Sequence, residues 1–134
     1  MELVTAKKAK AALLLVAEPH ANERLAATEI AAHIEKMTGA QMPVVTGADA
    51  PEGLSPIRIG LSFDPQRKAA IAAQGDDPAA FMLRVQPDGA LLAGLSPKGT
   101  LYAAYELLEQ LGVRWFMPGD VGTVLPHADT LRAR

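Results

Sequence analysis

The sequence predicts an α+β fold in which helices pack on a mixed β-sheet. Apolar runs typical of strands alternate along the chain with apolar residues spaced at the period of a helix. Near the middle, Pro87-Asp88-Gly89 separates two strand-like runs and indicates a hairpin turn. The predicted order is strand, helix, two strands, helix, hairpin, helix and a short final strand. An antiparallel hairpin beside strands joined by helices gives a mixed sheet.

Composition limits the classes of function. The chain has 134 residues, of which 49% are hydrophobic and 21% are charged, as is ordinary for one globular domain. Its net charge of −2 provides no basic field and disfavours nucleic-acid binding. The absence of cysteine excludes disulfide bonds, thiol catalysis and cysteine-ligated metals. No apolar stretch approaches the roughly 20 residues of a membrane span, so no membrane partner is expected.

The first ten residues are predicted to be a flexible segment, and the following apolar run, 11–17, a buried strand. Lysines before this run imitate a signal peptide. However, the run is at the lower limit for such a segment, and Glu18-Pro19-His20 gives no clean cleavage site. The buried strand is therefore the favoured interpretation.

The first helix is expected to begin between His20 and Asn22 and to end at Met37 or Thr38, because Gly39 stops it. Its apolar face is periodic and rich in alanine. The members of that face are Ala26, Ala27, Ile30, Ala31, Ile34 and Met37. A second strand, 42–46, should run parallel to the first after this crossover.

The middle of the chain is predicted from its turn residues. Residues 47–56 are rich in glycine, proline and aspartate and indicate a loop. Residues 57–61 alternate as a third strand. Asp64 is expected to cap a helix over 66–73, with Pro65 in the first turn.

The last helix has the clearest boundaries. The hairpin pairs 81–86 with 90–93, and Ser96-Pro97 then combines a capping hydroxyl with proline at the first helical position. Gly112 ends the helix. Its expected buried side is Leu101, Ala104, Tyr105, Leu107, Leu108 and Leu111. A β-prone segment, 113–116, and a loop follow, and 127–134 is expected to be a frayed end.

Two segments carry a resemblance to a known family. Residues 96–120 read Ser-Pro-Lys-Gly-Thr-Leu-Tyr-Ala-Ala-Tyr-Glu-Leu-Leu-Glu-Gln-Leu-Gly-Val-Arg-Trp-Phe-Met-Pro-Gly-Asp. This run resembles the end of the small N-terminal domain that precedes the catalytic barrel in α-glucuronidases and β-N-acetylhexosaminidases, glycoside hydrolase families 67 and 20. Residues 26–45 are similar to the first helix, Thr-Gly-Ala turn and next strand of that domain. Together the matches span most of 11–126.

The resemblance implies a β-N-acetylhexosaminidase-like domain, which is zincin-like without the metal site. It implies a flexible segment over 1–10, an accessory domain over 11–126, and a tail over 127–134 that leads toward a catalytic domain. The implied function is a non-catalytic accessory domain of a carbohydrate-active hydrolase, without catalytic residues, metal or cofactor of its own. Its partners would be the catalytic domain of the same polypeptide and, as a second class, carbohydrate. A free-standing carbohydrate- or protein-binding module is the alternative, and a small metal or nucleotide enzyme is a weaker one.

An aromatic group near the last helix is the candidate binding surface. Aromatic faces stack on sugars and anchor protein interfaces, and they equally fill cores. All three interpretations stay open from the residues, and the resemblance favours contact with a neighbouring domain, because the Arg-Trp-Phe-x-Pro-Gly segment leads into the barrel. The candidate residues are Tyr102, Tyr105, Arg114, Trp115, Phe116, Met117 and Pro118.

Three other constellations suggest chemistry but have simpler explanations. Glu29 and His33 lie four apart on the first helix and could bind a metal, although an exposed helix-face pair is common. Residues 94–100 sit where a phosphate loop would, but lack its order of glycine and lysine. The acidic pairs Asp76-Asp77 and Glu106/Glu109 are interpreted as solvated, because glycosidase carboxylates must face each other across a cleft.

Overall fold

A computed structural model of the chain describes residues 1–73, 77, 79–115, 123–124 and 126–134, with only the backbone of 115, 123 and 124. The strands are β1 Glu2–Thr5, β2 Lys8–Ala9, β3 Ala11–Leu15, β4 Val44–Thr46, β5 Ser55–Ile59, β6 Phe81–Gln86, β7 Gly89–Gly94, β8 Arg114–Trp115, β9 Thr123–Val124 and β10 Leu131–Arg132. The α-helices are α1 Ala21–Thr38, α2 Lys68–Ala72 and α3 Pro97–Gln110, and 3₁₀ turns span Leu61–Phe63 and Pro65–Arg67.

The main sheet has five strands in the order β4-β3-β5-β7-β6. Strands β4, β3, β5 and β7 are parallel, and β6 is antiparallel to β7 in the predicted hairpin. The α+β class, the mixed sheet and the parallel pairing of the first two predicted strands are therefore confirmed. A crossover through α1 joins the parallel strands β3 and β4, a loop joins β4 to β5, and the tight turn produces the antiparallel pair.

The main core lies between one face of this sheet and helices α1 and α3. Alternate residues of β3 point into it, which is the period of two that a strand imposes. Buried members from the strands and helices are Ala11, Leu13, Leu15, Ile57, Ile59, Leu92, Ala26, Ile30, Ile34, Ala103, Ala104, Leu107 and Leu108. Each large aliphatic side chain buried here contributes about 1.5–3 kcal/mol. The alanines let the two helices approach each other closely.

Helix α1 begins and ends where the sequence predicts. Nδ1 of His20 accepts the N–H of Asn22 at 3.0 Å, and Oε1 of Glu23 accepts the N–H of His20 at 2.9 Å. This is a capping box with histidine in place of serine or threonine. Gly39 ends the helix in the left-handed region, at φ +80°, and donates to the carbonyl of Glu35. A side chain at this φ would be strained.

Helix α3 also follows the prediction. Ser96 precedes Pro97 at the first position, and its Oγ accepts the N–H of Gly99 at 3.4 Å. The helix ends at Gln110, and the N–H of Gly112 bonds the carbonyl of Glu109. Of the predicted buried side, Ala104, Leu107 and Leu108 are buried, whereas Leu101, Tyr105 and Leu111 are partly buried; Ala103 is fully buried in addition.

The second face of the sheet is only partly covered. Ala12, Leu14 and Ala93 point to it by alternation and are buried. The segment 61–67 lies over this face, because Phe63 and Arg67 line the same cavity as strand residues of that face. The region of the face under this cavity is open to solvent.

The two ends of the described chain differ from the sequence expectation. The segment 1–10 was expected to be flexible and 127–134 to be frayed, but β1 pairs with both β2 and β10 in a three-stranded sheet. Leu3 and Val4 are fully buried, and Leu131 is 8% exposed. Each end is short and only partly apolar, so neither predicts a strand without its distant partner.

Several predicted boundaries shift for identifiable reasons. The second predicted strand begins at Val44 because Pro43 has no N–H to donate. Strand β5 begins at Ser55, inside the predicted loop, because it pairs with β3. Asp64 takes the predicted N-cap position with Pro65 in the first turn, but its side chain makes no capping bond: Oδ2 accepts the Nε–H of Arg67 at 3.0 Å, and Pro65–Arg67 is a 3₁₀ turn before the short α2. The charge-assisted bond outcompetes the cap.

Candidate functional site

Tyr102 is the more exposed of the two candidate tyrosines. Its side chain is 38% exposed on the outer side of α3, as expected from the helical pattern. Nζ of Lys98, one turn earlier, lies 5.8 Å from the centre of the ring. That distance is within the range of a cation–π contact, which steadies the ring on the surface.

A second exposed apolar side chain lies on the helix layer of the molecule, which α1 and α3 form. Leu25 of α1 is 40% exposed. Because α1 and α3 follow parallel strands, they begin at the same edge of the sheet and run side by side. Leu25 is the fifth residue of α1 and Tyr102 the sixth of α3, so they lie at the same level. We call Leu25 and Tyr102 the helix-pair surface.

Tyr105 lies deeper, between the two helices. Burial raises the pKa of its hydroxyl above the usual 10.0, and the negative charge of Glu29 raises it further. Nδ1 of His33 donates to the backbone carbonyl of Glu29 at 2.7 Å and lies 3.5 Å from Oε2 of the same residue. Glu29 and His33 are half-buried between the helices, so they are not the exposed pair that the sequence suggests.

The raised pKa of Tyr105 predicts a pH dependence of stability. The folded protein holds this proton to a higher pH than the unfolded chain, so the free energy of unfolding should fall as pH rises above about 10. Tyr105→Phe should make this fall less steep, as measured by urea unfolding across alkaline pH. Glu29→Gln should have a smaller effect in the same direction, because burial is the larger cause. Equal slopes for wild type and Tyr105→Phe would contradict this.

Arg114 is separated from the helix-pair surface. Nη1 of Arg114 donates to the carbonyls of Glu109 at 2.7 Å and Val113 at 2.9 Å, which ties β8 to the end of α3. Tyr102 lies eight residues before that end, or roughly 12 Å along the helix. The backbone of Trp115 pairs with Thr123.

The last three candidates, Phe116, Met117 and Pro118, lie outside the described residues. The structure therefore brings Tyr102 and Tyr105 onto one helix, and it places Arg114 at that helix's far end.

A crevice that the sequence analysis missed lies at the carboxyl ends of β3, β5 and β7. Its volume is about 380 Å³, and Glu18, His20, Glu23 and Ser96 are among its lining residues. The chain winds in opposite directions from β3 and β5, and ligands of open α/β sheets bind at such points. The signals in the sequence were the capping pattern of His20 and Glu23 and a glycine directly after β5.

Glu23 is the most buried acid of this crevice, and both of its carboxylate oxygens make structural contacts. Oε1 accepts the N–H of His20, and the other oxygen lies against the backbone of Gly60, where a Cβ would collide with it. The carboxylate therefore closes the start of α1 against the end of β5. A side chain at position 60 would displace this oxygen and would also strain the backbone, because φ is +119°.

Residues 94–100, which sit where a phosphate-binding loop would, are packed closely against one another. Oγ1 of Thr100 accepts the N–H of Gly94 at 2.9 Å, and Thr100 is 1% exposed. A Cβ on Gly94 would collide with the backbone of Gly99 and Thr100. A Cβ on Gly99 would lie 2.5 Å from the carbonyl oxygen of Ala80. The geometry favours the capped-helix interpretation, with both glycines required for close approach.

One member of each acidic pair has a hydrogen-bond partner. Oδ1 of Asp77 accepts the N–H of Ala79 at 2.9 Å in a turn, and Asp76 lies outside the described residues. Glu106 accepts a bond from Gln110 at 3.3 Å on the exposed side of α3. Within the described ranges, no group of three histidine or acidic side chains could hold a metal ion. Nor does any described helix combine the length and apolar character needed to cross a bilayer.

No protein-family model matches the chain, and no curated protein matches it.

Proposed function

We propose that this chain is a non-catalytic N-terminal accessory domain of a carbohydrate-active glycoside hydrolase and that it supports a following catalytic barrel. The observation that carries the proposal is the helix-pair surface. Leu25 and Tyr102 are two of the three large apolar side chains exposed in the described part of the chain, and they lie at the same level of neighbouring helices. The resemblance of residues 96–120 to the end of such domains supports the same function.

The physical argument is that exposed apolar area favours a neighbouring protein surface. A single exposed leucine or tyrosine is ordinary on a protein surface. Two exposed apolar side chains on neighbouring helices favour contact with a partner surface. The ring of Tyr102, steadied by Lys98, presents a rigid amphipathic face of the kind that is enriched at interfaces. The partner surface would belong to the catalytic domain of the same polypeptide.

The first test is the size of the native polypeptide. An antibody raised against this chain should detect, in cells that produce the protein, a band several times heavier than 14.1 kDa. A native product of about 14.1 kDa would overturn the proposal. The exposed ring of Tyr102 would then favour a free-standing module, tested by glycan binding before and after Tyr102→Ala.

The second test locates the interface in the long polypeptide. Leu25→Asp and Tyr102→Asp should each weaken association of this domain with the rest of the chain by about 1 kcal/mol, because each side chain still has apolar area to bury. Limited proteolysis between the domains should become faster. Val44→Asp is the matched control, since Val44 is 45% exposed and lies on the edge strand β4, not on either helix. An equal response to all three variants would place the interface elsewhere.

A further inference from the structure

A second cavity, of about 440 Å³, lies on the face of the main sheet opposite α1 and α3. Its floor is formed by strands β5, β6 and β7, and the segment 61–67 stands over it. This volume is in the range of small-molecule sites. Its polar side chains include Arg58, Arg67, Arg84 and Gln86.

The register of the sheet places two of these arginines on either side of one leucine. Arg58 pairs with Leu91, and Leu91 pairs with Arg84 on its other side. Directly opposed residues point to the same face, so the three side chains form one row. Two strand spacings separate the arginine backbones by about 10 Å. The long side chains therefore flank the space above Leu91.

The guanidinium groups of Arg58 and Arg84 have N–H donors that bond no described residue. Both side chains are exposed, and neither forms a hydrogen bond or ion pair with another residue that the structure describes. Arg67, in contrast, is bound to Asp64 at 3.0 Å. Each guanidinium carries five N–H donors in a fixed plane. Two such groups thus line one cavity without an acceptor among the residues that the structure describes.

Protection of a sheet edge does not explain Arg58. Charged residues on edge strands prevent sheet-to-sheet aggregation, and this accounts for Arg84 on β6. Strand β5 is the middle one of five, and in the same row Arg58 lies between Leu91 and the buried Leu14. Arg58 is therefore exposed on a face of the sheet, and its charge protects no sheet edge.

We propose that this cavity binds a small ligand through a carboxylate or phosphate group held by Arg58 and Arg84. The forked guanidinium matches the geometry of both oxyanions, and bonds between ionised partners are the strongest of their kind. Three arginines and two aspartates line the cavity, so it is locally positive although the chain carries −2. Gln86 adds an uncharged donor, and Phe63 and Leu91 offer apolar contact to the rest of the ligand.

The test is a titration of the protein, followed by amide NMR, with sodium phosphate and separately with sodium citrate at constant ionic strength. Saturable shifts confined to β5, β6 and β7 are expected with at least one anion. A response to phosphate alone would identify a phosphate ligand, a response to citrate alone a carboxylate ligand, and a response to both the shared chemistry.

Charge-matched variants make the test specific. Arg58→Gln and Arg84→Gln should each weaken binding roughly tenfold or more, the value of a charge-assisted hydrogen bond. Arg84→Lys keeps the charge without the fork and should lose part of the affinity. Arg24→Gln, an exposed arginine on α1, makes the same charge change on the other face and should leave binding within about twofold.

Absence of saturable shifts with both anions, or an equal loss in Arg24→Gln, would overturn the proposal. Both substituted cavity arginines are exposed, so the variants should fold, and the dispersion of the amide spectrum checks this. The cavity is on the face opposite the helix-pair surface, so the result does not depend on the proposed accessory function.

Discussion

Gly94→Ala should destabilise the protein by about 3 kcal/mol or more and lower its melting temperature by roughly 10 °C. The added Cβ would overlap Thr100 N and the carbonyl carbon of Gly99 and would lie 2.6 Å from Gly99 Cα. These atoms are backbone and cannot rotate away. The start of α3 would have to move off β7, which would break the bond from Gly94 to Thr100 and loosen the core beneath the helix.

Gly53→Ala separates this steric effect from backbone strain. Gly53 has φ +84° with nothing within 4 Å of an added Cβ, so only the left-handed conformation is penalised, by about 1 kcal/mol. Urea unfolding of the two variants gives the comparison. A cost for Gly94→Ala no greater than that for Gly53→Ala would show that the strand and helix are not in close contact.

Leu3→Ala should cost about 3 kcal/mol, an effect expected of a core position and not of a flexible end. The side chain of Leu3 is fully buried and belongs to the main hydrophobic cluster. Its carbonyl accepts the N–H of Lys10 at 2.8 Å, and β1 lies between β2 and β10. Truncation would leave a cavity that the three-stranded sheet cannot easily close. Equilibrium unfolding in urea measures the loss.

Glu2→Ala is the matched control in the same strand. The Glu2 side chain is 50% exposed, and its ion pair with Arg132, at 3.5 Å, lies on the surface. Such pairs contribute between 0 and about 1 kcal/mol. If Leu3→Ala cost as little as Glu2→Ala, the first ten residues would be the flexible segment that the sequence suggests.

Local signals in the sequence were sufficient for the central elements. The serine and proline before α3, the glycine after α1 and the turn between β6 and β7 each act through neighbouring backbone, so their effect is visible without the fold. Asp64 shows the limit of such signals. Aspartate favours the capping position, but the guanidinium of Arg67, three residues away, binds the side-chain oxygen that would form the cap.

The candidate site was harder to predict because it is built from elements that are distant in sequence. The helical period indicated that Tyr102 would be accessible, yet it could not show that Leu25, on another helix, lies at the same level. The row of Arg58, Leu91 and Arg84 exists only because β5 pairs in this register with the hairpin of β6 and β7, which is distant from it in sequence. Neither arrangement has a signature in any short segment.

The sequence by itself determined the α+β class, the boundaries of the two long helices and the hairpin, because hydrophobic period, caps and turns are local properties. Only the tertiary structure decided that the ends pair as strands, that Glu23 closes against Gly60 and that two arginines share a cavity. Each of these depends on contacts between residues far apart in the chain. Their free energy is gained only when the sheet has assembled and the loops between them are closed.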